Sequence, residues 1–260
     1  ILYQQKPHLG TDVLVPLVQT LRHQIEEMGG SFRFRTQVTD LIFENDRLSF
    51  VEVNHEEKIP ADVCVLAVGH SARDTFSMLA KRGLPMEAKS FAVGVRVEHL
   101  QSEMNLALYG EEEREMAEDD RFRPARYQLS MTAQNQRGVY SFCMCPGGYV
   151  VNASSEEEMM AVNGMSYQDR GSKNANSALI VTVNPSDFPE EGPLGGIAFQ
   201  RNLERAAWKL GNGKIPVQLY KDFRENVPST EFGEIIPCMK GAYTLTNVRS
   251  ILPEYVGDSI

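Results

Sequence analysis

The sequence predicts an α+β / α/β chain. A helix, a β-meander and a buried parallel strand (residues 1–83) lead into a mixed β-sheet domain with helices (84–240), and a last segment (241–260) returns toward the first region. Three observations carry this prediction. An apolar stripe at helical spacing runs from Thr11 to Met28. Val63 to Val68 is an almost unbroken apolar run that passes through Gly69 into a second helical pattern, as a parallel strand covered on both faces requires. After Gly83 the pattern changes to short extended runs separated by turn residues.

In the first helix Leu14, Leu17, Val18, Leu21, Ile25 and Met28 fall on one face, Thr11 or Asp12 is the expected cap, and Gly29-Gly30 stops it. Pro16 removes one early hydrogen bond. The runs SFRFRTQV, TDLIFENDRLSFVEV and EEKIP, punctuated by Asn45-Asp46, predict strands joined by tight turns. A helix from about Ala72 to Arg82 follows the apolar run. Beyond it, FAVGVRVEHL, RYQLSMTA, GVYSFCMC, YVVNASS and SALIVTV predict a mixed or antiparallel sheet. The charge run from Glu111 to Arg123 predicts a solvated helix or surface excursion. Phe199, Leu203, Ala206, Ala207 and Leu210 define a helix over 195–210, ended by Gly211, with Trp208 as a core residue. The chain opens without Met and ends in PEYVGDSI, which reads as the start of a continuing helix, so an excised fragment is expected.

At 260 residues and 42% hydrophobic content the chain is long enough for one large core or two modest ones. A net charge of -9 argues against a nucleic-acid binder, which needs clustered Lys and Arg to displace counterions. No apolar run has the length of a membrane span, and the N-terminus lacks a basic segment followed by an apolar one. Cys64, Cys143, Cys145 and Cys238 are too few for a disulfide scaffold, so a soluble, cytoplasmic protein is expected. No G-x-G-x-x-G, no phosphate loop and no G-x-S-x-G elbow is present; the single G-x-G, Gly211-Asn212-Gly213, is followed by Pro216. A self-contained nucleotide enzyme is not expected.

Several residues still carry chemistry. Gly69 at a strand's carboxyl end permits close approach of a ligand, and His70, Ser71 and Arg73 follow at a helix start whose free N–H groups can receive oxygen; an ordinary turn accounts for the same residues. His8, beside Lys6 and Pro7, is a candidate acid or base, or a loop histidine. Cys143 and Cys145 project to one face of a strand before Pro146-Gly147-Gly148. A metal clip needs a second ligand pair, which is lacking, so no metal is expected; inert thiols, a redox pair and a cavity-lining loop remain, and the lining loop is preferred. Asn163, Ser166, Tyr167, Arg170, Asn174 and Asn176 concentrate amides, hydroxyls and a guanidinium able to hold a carboxylate, or to satisfy their own loops.

The order helix, meander, apolar run ending in Val65-Leu66-Ala67-Val68-Gly69, then helix resembles the second half of the FAD domain of glutathione-reductase-type flavoproteins with two dinucleotide-binding domains. Gln37-Val38-Thr39-Asp40-Leu41-Ile42 is similar to their Val-x-x-Ile phrase. Over KPHLGTD, AVGHSARDTF, FAVGVRVEH, YSFCMCPGG, VNASSEE, NGMSYQDR and NANSALIV the chain resembles a bacterial family of FAD-dependent dehydrogenases. The family's N-terminal glycine-rich βαβ unit and its C-terminal cofactor segment have no counterpart here.

The resemblance implies a partial FAD domain (1–83) joined to a substrate domain (84–240). Val38, Ala67, Val68, Gly69 and His70 would lie beside the cofactor, Val38 on its adenine side. His8 and Tyr167 would be proton-transfer groups. Lys6, Cys143, Cys145, Asn163, Ser166, Arg170, Asn174 and Asn176 would line a small-molecule substrate site. The fragment itself would be inactive and without bound FAD, and neither a nicotinamide co-substrate nor an oligomeric state is implied. A non-catalytic binding or assembly module is the competing expectation.

Overall fold

The structure is a computed structural model that describes residues 8–110 and 124–260. Lys6 and the whole charge run at 111–123 lie outside the described residues. Helix α1 spans Thr11–Glu27. Its N-cap is Gly10, one residue before Thr11 and two before Asp12, the expected caps, because the chain entering the helix is tied to residues 166–168: Gly10 N donates to Gln168 Oε1 and Thr11 N to the Ser166 carbonyl. Strands β1 (Val38–Glu44), β2 (Arg47–Val53) and β3 (Glu57–Pro60) form the expected antiparallel meander. Its turns at Asn45-Asp46 and Asn54-His55 take positive φ at both central residues, the backbone twist that two-residue hairpins favour. Leu41, Val53 and Leu79 are buried, and helix α2 (Arg73–Lys81) packs against β1.

One expected element is not formed. Residues 63–68 run without strand pairing, and Val63 and Val65 are 80% and 83% exposed. A buried parallel strand needs a parallel neighbour on at least one edge and cover on both faces, and the described residues supply neither. The segment 31–37 likewise forms no strand.

From residue 91 onward the chain builds layers. Strand β4 (Phe91–Leu100) leads to α3 (Gln101–Tyr109); β5 (Ser130–Thr132), β6 (Gly138–Cys145), β7 (Tyr149–Asn152), β8 (Val162–Met165) and β9 (Asn174–Val183) follow. An antiparallel sheet has the order β4-β9-β6-β5. Next come α4 (Gly195–Gly211), β10 (Ile215–Val217), α5 (Tyr220–Glu225), β11 (Met239–Lys240), β12 (Tyr243–Leu245) and α6 (Glu254–Gly257). β11 joins β7 in parallel and β8 closes that mixed sheet, order β11-β7-β8, while β10 and β12 pair in parallel. The α+β class with mixed and antiparallel sheets is therefore the observed one.

The main core, Val139, Val181, Val183, Phe199 and Val256 with Phe91, Phe188 and Leu203 around it, lies between the four-stranded sheet, α4 and the C-terminal turns. A second tie joins the first region to this body. Arg73, 3% exposed at the start of α2, pairs with Glu156 and, at 2.6 Å, with Glu204 of α4; Arg201 closes the network on Glu156 at 2.5 Å. Two guanidinium groups hold the Glu156 carboxyl well below the usual range, at about 2. The sequence reading offered the Arg73 neighbourhood as an oxygen-binding helix start; its guanidinium is instead a buried clamp.

Candidate functional site

β8 lies across the sheet β4-β9-β6, and where the two sheets meet the interior is polar. Arg96 of β4 occupies the centre. Its Nε donates to Asn176 Oδ1 at 2.6 Å, Nη2 to the Cys143 carbonyl at 2.6 Å and toward the Cys145 sulfur at 3.5 Å, and Nη1 to Asn163 Oδ1 at 3.4 Å. The crossing is close at Gly164, where a Cβ would lie 2.1 Å from Arg96 Nη2 and displace the guanidinium. The register explains how the groups converge. Arg96 and Glu98 share one face of β4, and opposite Glu98 stands Asn176, whose other neighbour is Cys145. Between Phe142 and Cys145 the β6–β9 pairing slips in a bulge, and Cys143, at φ 48°, turns its carbonyl onto the guanidinium.

Glu98 accepts from the Cys238 N–H at 2.8 Å and from Asn174 Nδ2 at 3.2 Å. Burial raises its carboxyl above the ordinary range, and burial likewise lowers Arg96 and raises the Cys145 thiol. Ser166 lies beside the Cys145 thiol. Asn174 and Asn176 are completely enclosed, and the Asn176 Nδ2 has no partner. Arg96 and Glu98 also form part of the wall of a cavity of about 560 Å³, whose other sides are mostly apolar: Val150, Met160, Leu203, Phe223, Ile235 and Met239 among them. A volume of this order with few convergent polar groups suits a small organic ligand.

The structure thus gathers Cys143, Cys145, Asn163, Ser166, Asn174 and Asn176, six of the residues expected to line a substrate site, around two that the sequence reading did not single out, Arg96 and Glu98. The signal was present: two charges at i and i+2 in FAVGVRVEHL put a cation and an anion on one face of an otherwise apolar strand. Asn174 and Asn176 are strand residues, where a polar loop was expected. Arg170 stands apart from the guanidinium cluster in a left-handed turn (φ 53°), its carbonyl against Gly147. Cys143 and Cys145 are free thiols, and among the described residues no group of His, Cys, Asp and Glu is placed to hold a metal.

His8 and Tyr167 meet, through the backbone: His8 Nε2 lies 3.0 Å from the Tyr167 carbonyl. The Tyr167 ring packs against Tyr149 at 5.6 Å, and Lys240 Nζ sits 4.2 Å above the Tyr149 ring and 5.3 Å from that of Tyr167. Because Ser166 precedes Tyr167 and touches Cys145, this group adjoins the Arg96 cluster along the chain. The residues expected beside a cofactor are elsewhere. Val38, the first residue of β1, lines a shallow cleft of about 550 Å³ between β1 and α2; Ala67, Val68, Gly69 and His70 are exposed and do not line it. Gly69 has φ +70°, and no atom lies within 4 Å of where a Cβ would stand, so the backbone there is open to approach.

A protein of Clostridium beijerinckii described only as uncharacterised is 43% identical over 263 residues, covering all of this chain and 48% of the relative. The chain therefore spans about half the length of the curated relative it matches. Among the described residues no helix is long and apolar enough to cross a membrane. Residues 90–260, from the residue before β4 to the last one, match the family described as FAD-dependent protein, C-terminal domain-like, and the chain belongs to that family of FAD-dependent proteins.

Proposed function

We propose that the chain is the substrate domain, with part of the FAD domain, of a flavin-dependent oxidoreductase in which a hydride or electron pair passes between a small substrate and the flavin. One observation carries this reading: the apolar surface left bare in residues 9–68. α1 buries none of its residues; Leu14, Val15, Leu17, Val18, Leu21 and Ile25 are all exposed, as are Val63, Val65, Leu66 and Val68. Apolar faces of this size are made to be covered. The body from residue 91 on also exposes single apolar side chains such as Leu108, Leu129 and Met131, but its long helix α4 lays Phe199 into a core, which α1 does not do.

The open backbone at Gly69 suits one side of a flavin cradle, whereas no phosphate-binding glycine loop is present in the sequence. Residues 67–70 and Val38 would hold part of the group, which supplies the two-electron chemistry when bound. The chain's own contributions are orientation and proton handling. The Arg96 layer and the cavity beside it bind and position substrate out of water. His8 and Tyr167 move the proton that accompanies hydride transfer. Domain limits at 83 and 240 belong to the same reading.

The test is a visible spectrum of a polypeptide continuing this chain to the length of the C. beijerinckii relative, after FAD addition and desalting. Retained flavin colour, lost in a Leu17→Glu/Leu21→Glu variant, supports the reading. A longer polypeptide that holds no flavin overturns it.

A further inference from the structure

Each of the other well-placed arginines has an anion. Arg73 has Glu156 and Glu204, Arg137 has Asp187 at 2.7 Å, Arg201 has Glu156, and Arg249 has Asp258. Arg96 is the exception. Its guanidinium is held by two amide oxygens, one carbonyl and one sulfur, and among the described residues no carboxylate stands within ion-pair distance. A half-buried cation whose hydrogen-bond partners are all neutral is costly, and three strands, a bulge with a left-handed cysteine and a close-lying glycine surround it. The weakest of its contacts is Nη1 to Asn163, which is itself exposed, so the Nη1 N–H groups are the ones left for an anion. The same arginine helps to wall the apolar cavity of about 560 Å³.

We propose that this cavity takes a small carboxylic acid with an apolar body, its carboxylate received by Arg96 and its body lying against Val150, Met160 and Met239. The proposal names the substrate class for the site described above and rests on that reading for its link to redox chemistry, though not for the binding itself. A carboxylate can accept a charge-assisted bond from Nη1, and the apolar lining of the cavity suits the body of the acid. Glu98, two residues along the same face and hydrogen-bonded to the Cys238 N–H and Asn174, opposes a second negative charge, so binding draws a proton onto it.

Isothermal titration of the purified chain with decanoate, decanol and decylammonium below their micellar concentrations tests this. Decanoate is expected to bind saturably at one site, at least tenfold more tightly than decanol or decylammonium, with proton uptake seen as a dependence of the heat on buffer ionisation. Arg96→Gln should weaken decanoate at least tenfold and leave decanol unchanged. Since that variant removes a central hydrogen-bonding group, Asn163→Asp supplies a second arm: it places a carboxylate beside the intact guanidinium at an exposed position, and should abolish the preference for decanoate in a protein that melts no lower than the parent. Equal affinity for decanoate and decanol, or decanoate binding untouched by Asn163→Asp, overturns the proposal. Decanoate binding without flavin in the longer polypeptide would instead overturn the oxidoreductase reading and leave the carboxylate site standing.

Discussion

Helices α1 and α4 have the same length, 17 residues, and both carry an apolar stripe at helical spacing, yet they fare oppositely. α4 lays Phe199 into the main core and Leu203 against it, and its Glu204 takes Arg73. α1 buries nothing and shows Val18 at 62% exposure. The difference teaches that an amphipathic pattern states that a helix has a partner and says nothing of where that partner is. For α4 it is the sheet led by β4. For α1 the proposed partner is the rest of a flavin domain, and the unpaired run at 63–68 is the matching vacancy in a sheet.

Core truncation should separate the two helices most sharply. Phe199→Ala in α4 is expected to cost about 3–5 kcal/mol in urea unfolding. Leu21→Ala in α1 should stay within about 0.5 kcal/mol, since it removes little buried surface and Ala favours helix. A comparable loss at both positions would mean that α1 is already packed. Next in size is the clamp between the regions: Arg73→Ala takes the guanidinium from Glu204 and leaves Glu156 with Arg201 alone, and should cost about 3 kcal/mol, with the first region more exposed to protease than the second. The same clamp sets an acid response. Glu156 is held near 2 against an ordinary value of 4.5, so its contribution is whole above about 4.5 and drains away as pH falls from there toward 2. In Arg73→Ala the stability lost over that window should shrink.

The smallest effect concerns Glu98. Its carboxyl is raised, so its contribution is most favourable below the unfolded value and is lost as pH rises through the higher folded value. Glu98→Gln should therefore equal the parent in acid and match or exceed it at neutral pH, read as melting temperature against pH. A variant less stable at neutral pH than in acid, relative to the parent, would show that attraction to Arg96 outweighs burial.

What could be read from sequence follows from how local each signal is. α1, α2, α4, the meander with its Asn45-Asp46 turn, and most of the sheet strands are set by spacing and turn chemistry within a few residues, and they form. The strand at 63–68 needs neighbours distant in sequence, and it does not form with the residues described. β8 was hidden in NGMS because the strand that crosses the guanidinium carries a glycine and an amide where β propensity asks for valine. The Arg96 cluster draws on β4, β6, β8 and β9, so no single window contains it. Its polar members were legible one at a time, while the arginine that binds them together was masked by a run that reads simply as strand.

The most direct measurement is amide hydrogen exchange of residues 11–27 and 63–68, in this chain alone and in a polypeptide of the relative's length supplied with FAD, with residues 195–211 as the internal reference. The account predicts fast exchange for both segments in the chain alone, strong protection of both in the longer protein, and equal protection of 195–211 in the two. Exchange of 11–27 and 63–68 that is equally fast in both would contradict it, because the bare apolar face would then have no seat in the flavin domain.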